Sequence, residues 1–247
     1  MIKIYHTPEV FVLIPGIQAG ITYSNRKTIN INGKLTGLNL GDNTGAPKSE
    51  IDKNFKRLAE ELQWKTEHIA LAEQVHGGDV IVVDKPGYYE NIDGLVTTED
   101  KLAIAVKVAD CAAVLLADPS TGSIAAVHAG WRGAVANILP AAIEKLKSTG
   151  ADTSRMAAYI SPCISLQNFE VGEEVASQFD PTFINRDIGA KPHLDLKSFL
   201  NQQLLDAGLN EQKIEIDPRC TIEDTRFYSF RRERENAGRM LAFIRHI

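Results

Sequence analysis

The most regular part of the chain is its centre, where apolar runs are separated by short polar or glycine-containing breaks. Residues 103–110 (AIAVKVAD) and 112–117 (AAVLLA) predict two strands that meet at Cys111. Residues 118–123 (DPSTGS) contain the proline and glycine of a turn, and residues 124–129 (IAAVHA) predict the returning strand. The pattern therefore predicts a β-hairpin closed by this turn.

Helical spacing of apolar residues is found on both sides of this centre. Apolar residues recur every three or four positions in 51–62, behind a polar loop at 41–50, and Ser49 is predicted to cap that helix. Residues 194–209 have the same spacing, with Asp195 as the predicted N-cap. Both segments predict amphipathic helices that cover a sheet.

Further elements complete the expected fold. After a tight connection at 130–133 (GWRG), residues 134–150 predict a helix that Pro140 kinks or interrupts. Residues 80–83 (VIVV) predict a buried strand, and residues 240–247 (MLAFIRHI) predict the last strand. Strands and helices do not alternate strictly, so we expect a single α+β domain over 1–247, with mixed sheets flanked by helices, rather than a doubly wound parallel fold.

Composition agrees with an ordinary globular protein. The 247 residues are 44% hydrophobic and 24% charged, and a chain of this length buries roughly three-quarters of its unfolded surface without needing disulfides. Three cysteines, an odd number, favour a reducing, cytoplasmic compartment. The N-terminal segment has no signal-peptide pattern, and no apolar run is long enough for a membrane span. The net charge of -5 gives no reason to expect a nucleic-acid partner.

Three side chains with metal-binding chemistry are predicted at strand ends. His76 lies in EQVHGG, Cys111 in VADCAAVLL, and His128 near the end of the returning strand. The hairpin places Cys111 and His128 at the same open end. A thiolate and two neutral imidazoles make a zinc-binding set that leaves a fourth position for water or substrate. Zinc in such a site lowers the pKa of its water to about 7.

Two other interpretations of these residues stay open at this point. In the first interpretation, Cys111 is a small buried hydrophobic residue and the histidines are ordinary polar residues. In the other, Cys111 is the nucleophile of a cysteine hydrolase and His128 is its base. Cys163 and Cys220 have no histidine nearby in sequence and are predicted to be inert structural residues.

The segment HAGWRG, residues 128–133, suggests an anion site. Its glycines let the backbone approach a ligand, the helix that follows offers free N–H groups, and the guanidinium of Arg132 suits phosphate. Alternatively, Arg132 pairs with a carboxylate and only holds the turn in shape. Asp93 and Asp110 are candidates for acid–base catalysis or for orienting a histidine from behind. The basic cluster at 231–234 alternates with glutamates and is expected to be solvated or salt-bridged.

Several strings taken together resemble one family. The chain is similar to the laccase-domain, or polyphenol-oxidase-like, family from about residue 18 to the C-terminus. Members are also called multifunctional purine nucleoside phosphorylases and peptidoglycan editing factors. The set formed by QVHG, ADC and HAGWRG is highly specific, and the strings that carry the resemblance are EQVHGGDV, DGLVT, ADCAAVLL, AAVHAGWRG, FEVGEEV, LDL and FYSFRRERENAGRM.

The resemblance implies an α+β domain with zinc on His76, Cys111 and His128. It also implies phosphorolysis of adenosine, inosine and methylthioadenosine with phosphate, and deamination of adenosine. The alternatives are a copper-dependent phenol oxidase, a Cys111 amidase acting on a cell-wall precursor, and a non-enzymatic nucleotide-binding protein. Ser161 and Ser165 stand where the family usually has glycines, which affects substrate preference if that loop contacts the ligand.

Overall fold

The computed structural model describes residues 3–25, 28–29 and 35–247, so residues 1–2, 26–27 and 30–34 of the predicted domain lie outside it. Its strands form two six-stranded sheets and two short ribbons. In chain order the strands are β1 Tyr5–His6, β2 Ile17–Thr22, β3 Thr28–Ile29, β4 Leu35–Thr36, β5 Ile69–Glu73, β6 Val80–Val82, β7 Gly87–Glu90, β8 Gly94–Thr97, β9 Ala103–Val108, β10 Ala112–Asp118, β11 Ser123–Ala129, β12 Ala157–Ile160, β13 Ile184–Asn185, β14 His193–Leu194, β15 Ile214–Ile216 and β16 Met240–His246.

Helices of very different length accompany these strands. Three of them have eleven residues or more, and the rest are single turns or little longer. In chain order the helices are α1 Glu9–Val12, α2 Lys48–Leu62, α3 Trp131–Val135, α4 Ile138–Ser148, α5 Glu173–Ala176, α6 Leu196–Asp206 and α7 Phe230–Glu233. No helix in these described ranges is long and apolar enough to cross a lipid bilayer.

Both large sheets are mixed, which confirms the predicted α+β class. The first sheet has the order β1-β2-β16-β9-β5-β7, with parallel pairs only at β9-β5 and β5-β7. The second has the order β15-β12-β10-β11-β8-β6, with parallel pairs at its two ends. The sheets pack face to face between two helical layers, because separate apolar clusters lie beneath α2, between the sheets, and beneath α4 and α6.

Strand β10 shows why the central sequence is so apolar. Leu115 packs between the two sheets, whereas its neighbours Val114 and Leu116 pack beneath the helices, since successive side chains point to opposite faces. All seven residues of β10 are buried. A strand covered on both faces reads as a continuous apolar run rather than an alternating one.

The last strand lies in the interior of the first sheet. β16 is hydrogen-bonded to β2 on one side and to β9 on the other, in both cases antiparallel. Its residues Leu241 and Phe243 face the cluster beneath α2, while Ala242 and Ile244 face the second sheet. The strand predicted over 240–247 is thus confirmed, and it joins distant parts of the chain.

Several local expectations were wrong in detail. Ser49 does not cap α2, because the helix already begins at Lys48, and the residue before it is Pro47, with a φ of -59° and a ψ of 138°. The GWRG segment is not only a connection, because α3 already begins at Trp131. The predicted helix over 134–150 is broken at Asn137, which has a left-handed φ of 59°.

Pro140 is not the residue at which that break occurs. It is the third residue of α4, where its missing N–H group has no helical acceptor to lose. The strand predicted at 80–83 also needs correction, because β6 is an edge strand and Val82 is 46% exposed.

Candidate metal centre

Cys111 and His128 lie side by side at the open end of the predicted hairpin. In the antiparallel β10–β11 pair, Ala112 is opposite Ala129 and Ala113 is opposite His128. Cys111, the residue just before β10, therefore lies next to the last residues of β11 because of this local pairing alone. The two residues are 17 positions apart in sequence, and the hairpin spans that separation, so the two side chains need no other contact to meet.

His76 reaches the same place from the first sheet. It lies in the loop between β5 and β6 and has a left-handed φ of 60°. The loop is held against β9 by Gln74, whose amide donates to Lys107 O at 2.7 Å and accepts from Lys107 N at 2.8 Å. This side chain acts as an additional strand residue and fixes the start of the loop that carries His76.

Asp93 connects the loop of His76 to the hairpin. Its carboxylate accepts three backbone N–H groups, from Val75 at 3.1 Å, His76 at 3.0 Å and Gly77 at 2.7 Å. The same carboxylate lies 2.7 Å from Nδ1 of His128. Asp93 is completely buried, so these contacts replace the water that its charge has lost.

The side chains of His76, Cys111 and His128 converge. Their potential ligand atoms all lie within 4.8 Å of one another, and the two imidazole rings are 4.7 Å apart at an interplanar angle of 75°. Because Asp93 contacts Nδ1 of His128, Nε2 is the nitrogen that remains for a metal or for the thiol. His128 is 3% exposed, Cys111 is half-buried and His76 is exposed.

The electrostatics of the cluster favour a thiolate. Burial raises the pKa of the Cys111 thiol, but His128 and His76 beside it outweigh that effect and lower the pKa to about 6. Burial lowers the pKa of His128, whereas Cys111 and Asp93 together raise it to about 9. By contrast, burial raises the pKa of Cys163 to about 12. Of these two thiols, only Cys111 is prepared to act as a ligand or nucleophile near neutral pH.

Asp110 fixes the backbone next to Cys111 rather than a histidine. It has a left-handed φ of 85°, and its carboxylate accepts the Thr221 hydroxyl and the Arg231 backbone N–H, both at 2.6 Å. A left-handed non-glycine residue persists only where its surroundings hold it. Asp110 therefore attaches the C-terminal segment to the loop that carries Cys111.

The cluster opens into a cavity of about 1020 Å³. Arg132 lines this cavity, and its guanidinium lies 4.4 Å from the centre of the Trp131 ring. Arg132 has no ion pair with a carboxylate of the described residues, contrary to the structural alternative for it. Of the SPCIS loop, Ile164 lines the cavity, whereas Ser161 and Ser165 do not.

The basic cluster of 231–234 takes part in this cavity, which its sequence pattern did not indicate. Arg231 and Arg234 line it, and Arg231 also donates to Glu170 O at 3.2 Å. Arg232 donates to backbone carbonyls and to Glu233 outside it. Sequence reasoning also assigned no role at the site to Phe230 and Arg239, which line the cavity.

Comparisons with known proteins show the family to which this chain belongs. The chain belongs to the family described as multi-copper polyphenol oxidoreductase laccase, whose model matches residues 21–246. It is similar to a purine nucleoside phosphorylase of Deinococcus radiodurans, with 37% identity over 215 residues that cover 86% of this chain and 83% of that protein.

Two further comparisons agree with this membership. An adenosine deaminase from an unknown prokaryotic organism is 31% identical over 249 residues, 94% of each chain. The crystal structure of YlmD from Geobacillus stearothermophilus superposes with a TM-score of 0.91 at 29% identity, covering 100% of this chain and 97% of that one. The family resemblance expected from the sequence is confirmed.

Proposed function

We propose that this protein is a zinc-dependent enzyme of purine nucleosides. It would carry out phosphorolysis of adenosine, inosine and methylthioadenosine, and deamination of adenosine. The observation that carries the proposal is the convergence of His76, Cys111 and His128 in the lining of a cavity large enough for a nucleoside. Relatives named purine nucleoside phosphorylase and adenosine deaminase support the substrate class.

The donor set fits zinc. Bonds of about 2.0–2.3 Å in a tetrahedral site put ligand atoms roughly 3.5 Å apart, and the ligand atoms of these three side chains lie within 4.8 Å of one another. One thiolate and two imidazoles would hold the metal and would leave a fourth ligand position for water or substrate. When bound, zinc supplies a Lewis acid that polarises an oxygen and generates a nucleophile from water near pH 7. Copper also accepts this donor set, so the metal has to be measured.

The chain's own residues would prepare the site for these reactions. Asp93 holds the ring of His128 in one tautomer and orientation, with Nε2 directed at the cluster. The Arg132 guanidinium, which has no carboxylate partner in the described ranges, would bind phosphate at the start of α3. Deamination would need the metal site but not Arg132.

A direct test separates the two reactions. The protein is purified without added metal, bound zinc and copper are measured, and adenosine is incubated with and without phosphate. Adenine release that requires phosphate identifies phosphorolysis, and inosine formation identifies deamination. Oxidation of phenols by a copper-loaded protein, with no turnover of nucleosides, would contradict the proposal.

A cysteine hydrolase is the second candidate, because one observation favours it. Asp93, His128 and Cys111 are arranged in the order of a carboxylate, an imidazole and a thiol whose pKa is lowered to about 6. Without metal, this arrangement could form a nucleophilic thiolate. Amide cleavage that persists after zinc removal, with no action on nucleosides, would favour this candidate over the first.

Gly130→Ala should weaken metal binding without unfolding the protein. A Cβ atom at Gly130 would lie 2.9 Å from Cys111 Sγ and 3.3 Å from His76 Nδ1, so two of the three ligand side chains would have to move. We expect zinc affinity to fall by about tenfold or more, equivalent to roughly 1.4 kcal/mol. Competition with a chromogenic chelator measures this.

Gly189→Ala is the matched control for that variant. Its Cβ atom would approach His193 Nε2 at 3.3 Å, outside the cavity. Zinc affinity of this control should equal that of the wild type. Unchanged zinc affinity in Gly130→Ala would show that the ligand set does not include the two side chains that its methyl group displaces.

Arg132→Ala should separate the two proposed activities. Loss of the guanidinium should raise the KM for phosphate or slow phosphorolysis by roughly tenfold to a thousandfold, about 1.4–4 kcal/mol. Zinc content should barely change, and deamination should suffer less. Steady-state assays of both reactions on one preparation check this. Equal losses in both reactions, with a lowered melting temperature, would instead assign Arg132 a structural role.

A further inference from the structure

Arg239, immediately before β16, is held in one orientation by its surroundings. Its backbone N–H donates to Asn39 Oδ1 at 2.9 Å. Its stem packs against Gly41 so closely that a Cβ atom there would lie 2.5 Å from Arg239 Cγ. Its side chain lines the same cavity as Cys111 and Arg132. The direction of the guanidinium is thus determined before any ligand arrives.

The guanidinium itself uses only part of its hydrogen-bonding capacity. Nη1 donates to Ala237 O at 2.9 Å and to Gly238 O at 3.1 Å, and the group lies 5.7 Å from the centre of the Phe230 ring. Neither Nε nor Nη2 has an acceptor among residues 3–25 and 37–247, and no carboxylate there lies within ion-pair distance. Two donors of the fork therefore remain for a ligand.

Two other cations of the cavity, Lys107 and Arg231, already have partners. Lys107 pairs with Asp42 at 2.7 Å, and the guanidinium of Arg231 donates to Glu170 O. Arg132 and Arg234, like Arg239, have no carboxylate partner in the described part of the chain, but both are exposed to water. Arg239 is more enclosed, and this burial lowers its pKa. A positive charge that is partly dehydrated and unpaired is unfavourable until an anion joins it.

Phe230 adds a second property to this part of the cavity. It is 41% exposed although it is a large aromatic residue, and it lines the cavity next to the Arg239 guanidinium. An aromatic ring beside a guanidinium without a carboxylate partner suits an organic ligand that carries an anionic group. It equally suits a free anion bound next to an organic ligand.

We propose that Arg239 forms an oxyanion subsite for a phosphate group, built by the C-terminal segment and distinct from the site assigned to Arg132. Nε and Nη2 would donate to two oxygens of the phosphate, as in bidentate arginine–phosphate pairs. The inference rests on the proposed function in taking a purine nucleoside as the neighbouring ligand. The phosphate has two sources, either inorganic phosphate as co-substrate or the phosphoryl group of a nucleoside monophosphate.

Binding measurements on the zinc-loaded protein test this subsite without relying on turnover. Inorganic phosphate and adenosine 5′-monophosphate are titrated separately by calorimetry into the wild type, Arg239→Gln and Lys107→Gln. Arg239→Gln should weaken phosphate binding by about tenfold or more, because a charge-assisted bidentate contact is lost. Lys107→Gln removes a charge from the same cavity whose partner is already Asp42, and it should change affinity by less than about twofold.

The two titrants distinguish the two sources. Weaker binding of inorganic phosphate in Arg239→Gln identifies the free ion as the ligand of the subsite. Weaker binding of the monophosphate alone identifies the phosphoryl group of a nucleotide. Arg239→Lys, which keeps the charge but not the fork, should show an intermediate loss and serves if the glutamine variant does not fold.

Three results would overturn the subsite. They are unchanged affinities in Arg239→Gln, equal losses in Arg239→Gln and Lys107→Gln, and no binding of either titrant to the wild type. These outcomes are separate from the fate of the proposed function. If phosphate binding depends on Arg239 but the protein does not turn over nucleosides, the subsite is supported and the proposed function is wrong. If the protein turns over nucleosides but phosphate binding does not depend on Arg239, only the subsite is wrong.

Discussion

Replacing Cys111 by alanine is expected to abolish metal binding and activity. The variant leaves two imidazoles, one of them exposed, in place of three converging ligands. Thiolate is the only anionic donor of the set, and two neutral ligands hold zinc far more weakly than three. Bound zinc should fall from about one ion per chain to background, with a loss of affinity of at least about a hundredfold. Elemental analysis and chelator competition measure this.

Cys163→Ala and Cys220→Ala are the controls for the loss of a thiol. Both residues are buried, Cys163 lies in the cluster beneath the helices, and neither is among the three converging ligand side chains. Each variant should retain its zinc, with a small loss of stability from the missing sulfur atom. Zinc retained by Cys111→Ala would show that the ligand set is wrong. Loss of zinc with retained amide cleavage would refute the nucleoside proposal equally.

Asp93→Ala should affect both the metal and the fold. The variant removes the acceptor for the N–H groups of residues 75–77 and for His128 Nδ1. We expect zinc affinity to fall by about tenfold to a hundredfold, since an oriented histidine is lost. The free energy of unfolding of the metal-free protein should fall by roughly 3 kcal/mol or more, because buried donors lose their partner. Urea unfolding and zinc competition measure the two effects.

Asp79→Asn provides the matched control. Asp79 precedes β6 in the neighbouring segment, and its side chain is exposed. The Asp79→Asn variant also removes one negative charge, but it does not remove a buried acceptor. The free energies of zinc binding and of unfolding should therefore stay within about 0.5 kcal/mol of the wild type. If Asp93→Ala behaved like this control, Asp93 would not be the residue that holds the His76 loop and His128 in place.

The parts of the molecule that follow from short-range sequence patterns were predictable. The hairpin over β10 and β11 is specified by two apolar runs and one turn, and this local pairing brings Cys111 and His128 together. The helix capped by Asp195 also follows from its own residues, and Ser198 N donates to the Asp195 carboxylate at 3.1 Å. Each of these interactions lies within a few residues or one hairpin.

Other parts depend on contacts between distant segments, which no local pattern specifies. The partnership of Asp93 with His76 spans 17 residues and two sheets, and the sequence offered Asp93 only as one of two acidic candidates. Arg239 meets Asn39 across 200 residues. The N-terminus of α2 was misassigned for a different reason. Ser49 and Pro47 are both residue types found at the start of a helix, and the sequence does not decide between them.

The central position of β16 has a consequence for the synthesis of the protein. Residues 240–246 fill the place between β2 and β9, so the first sheet stays open until these residues have been made. During translation, β2 and β9 each have an unpaired edge, and unpaired edges recruit strands from other chains. A nascent chain stalled before residue 240 should therefore aggregate or require a chaperone, whereas the second sheet, whose last strand is β15, is already completely synthesised.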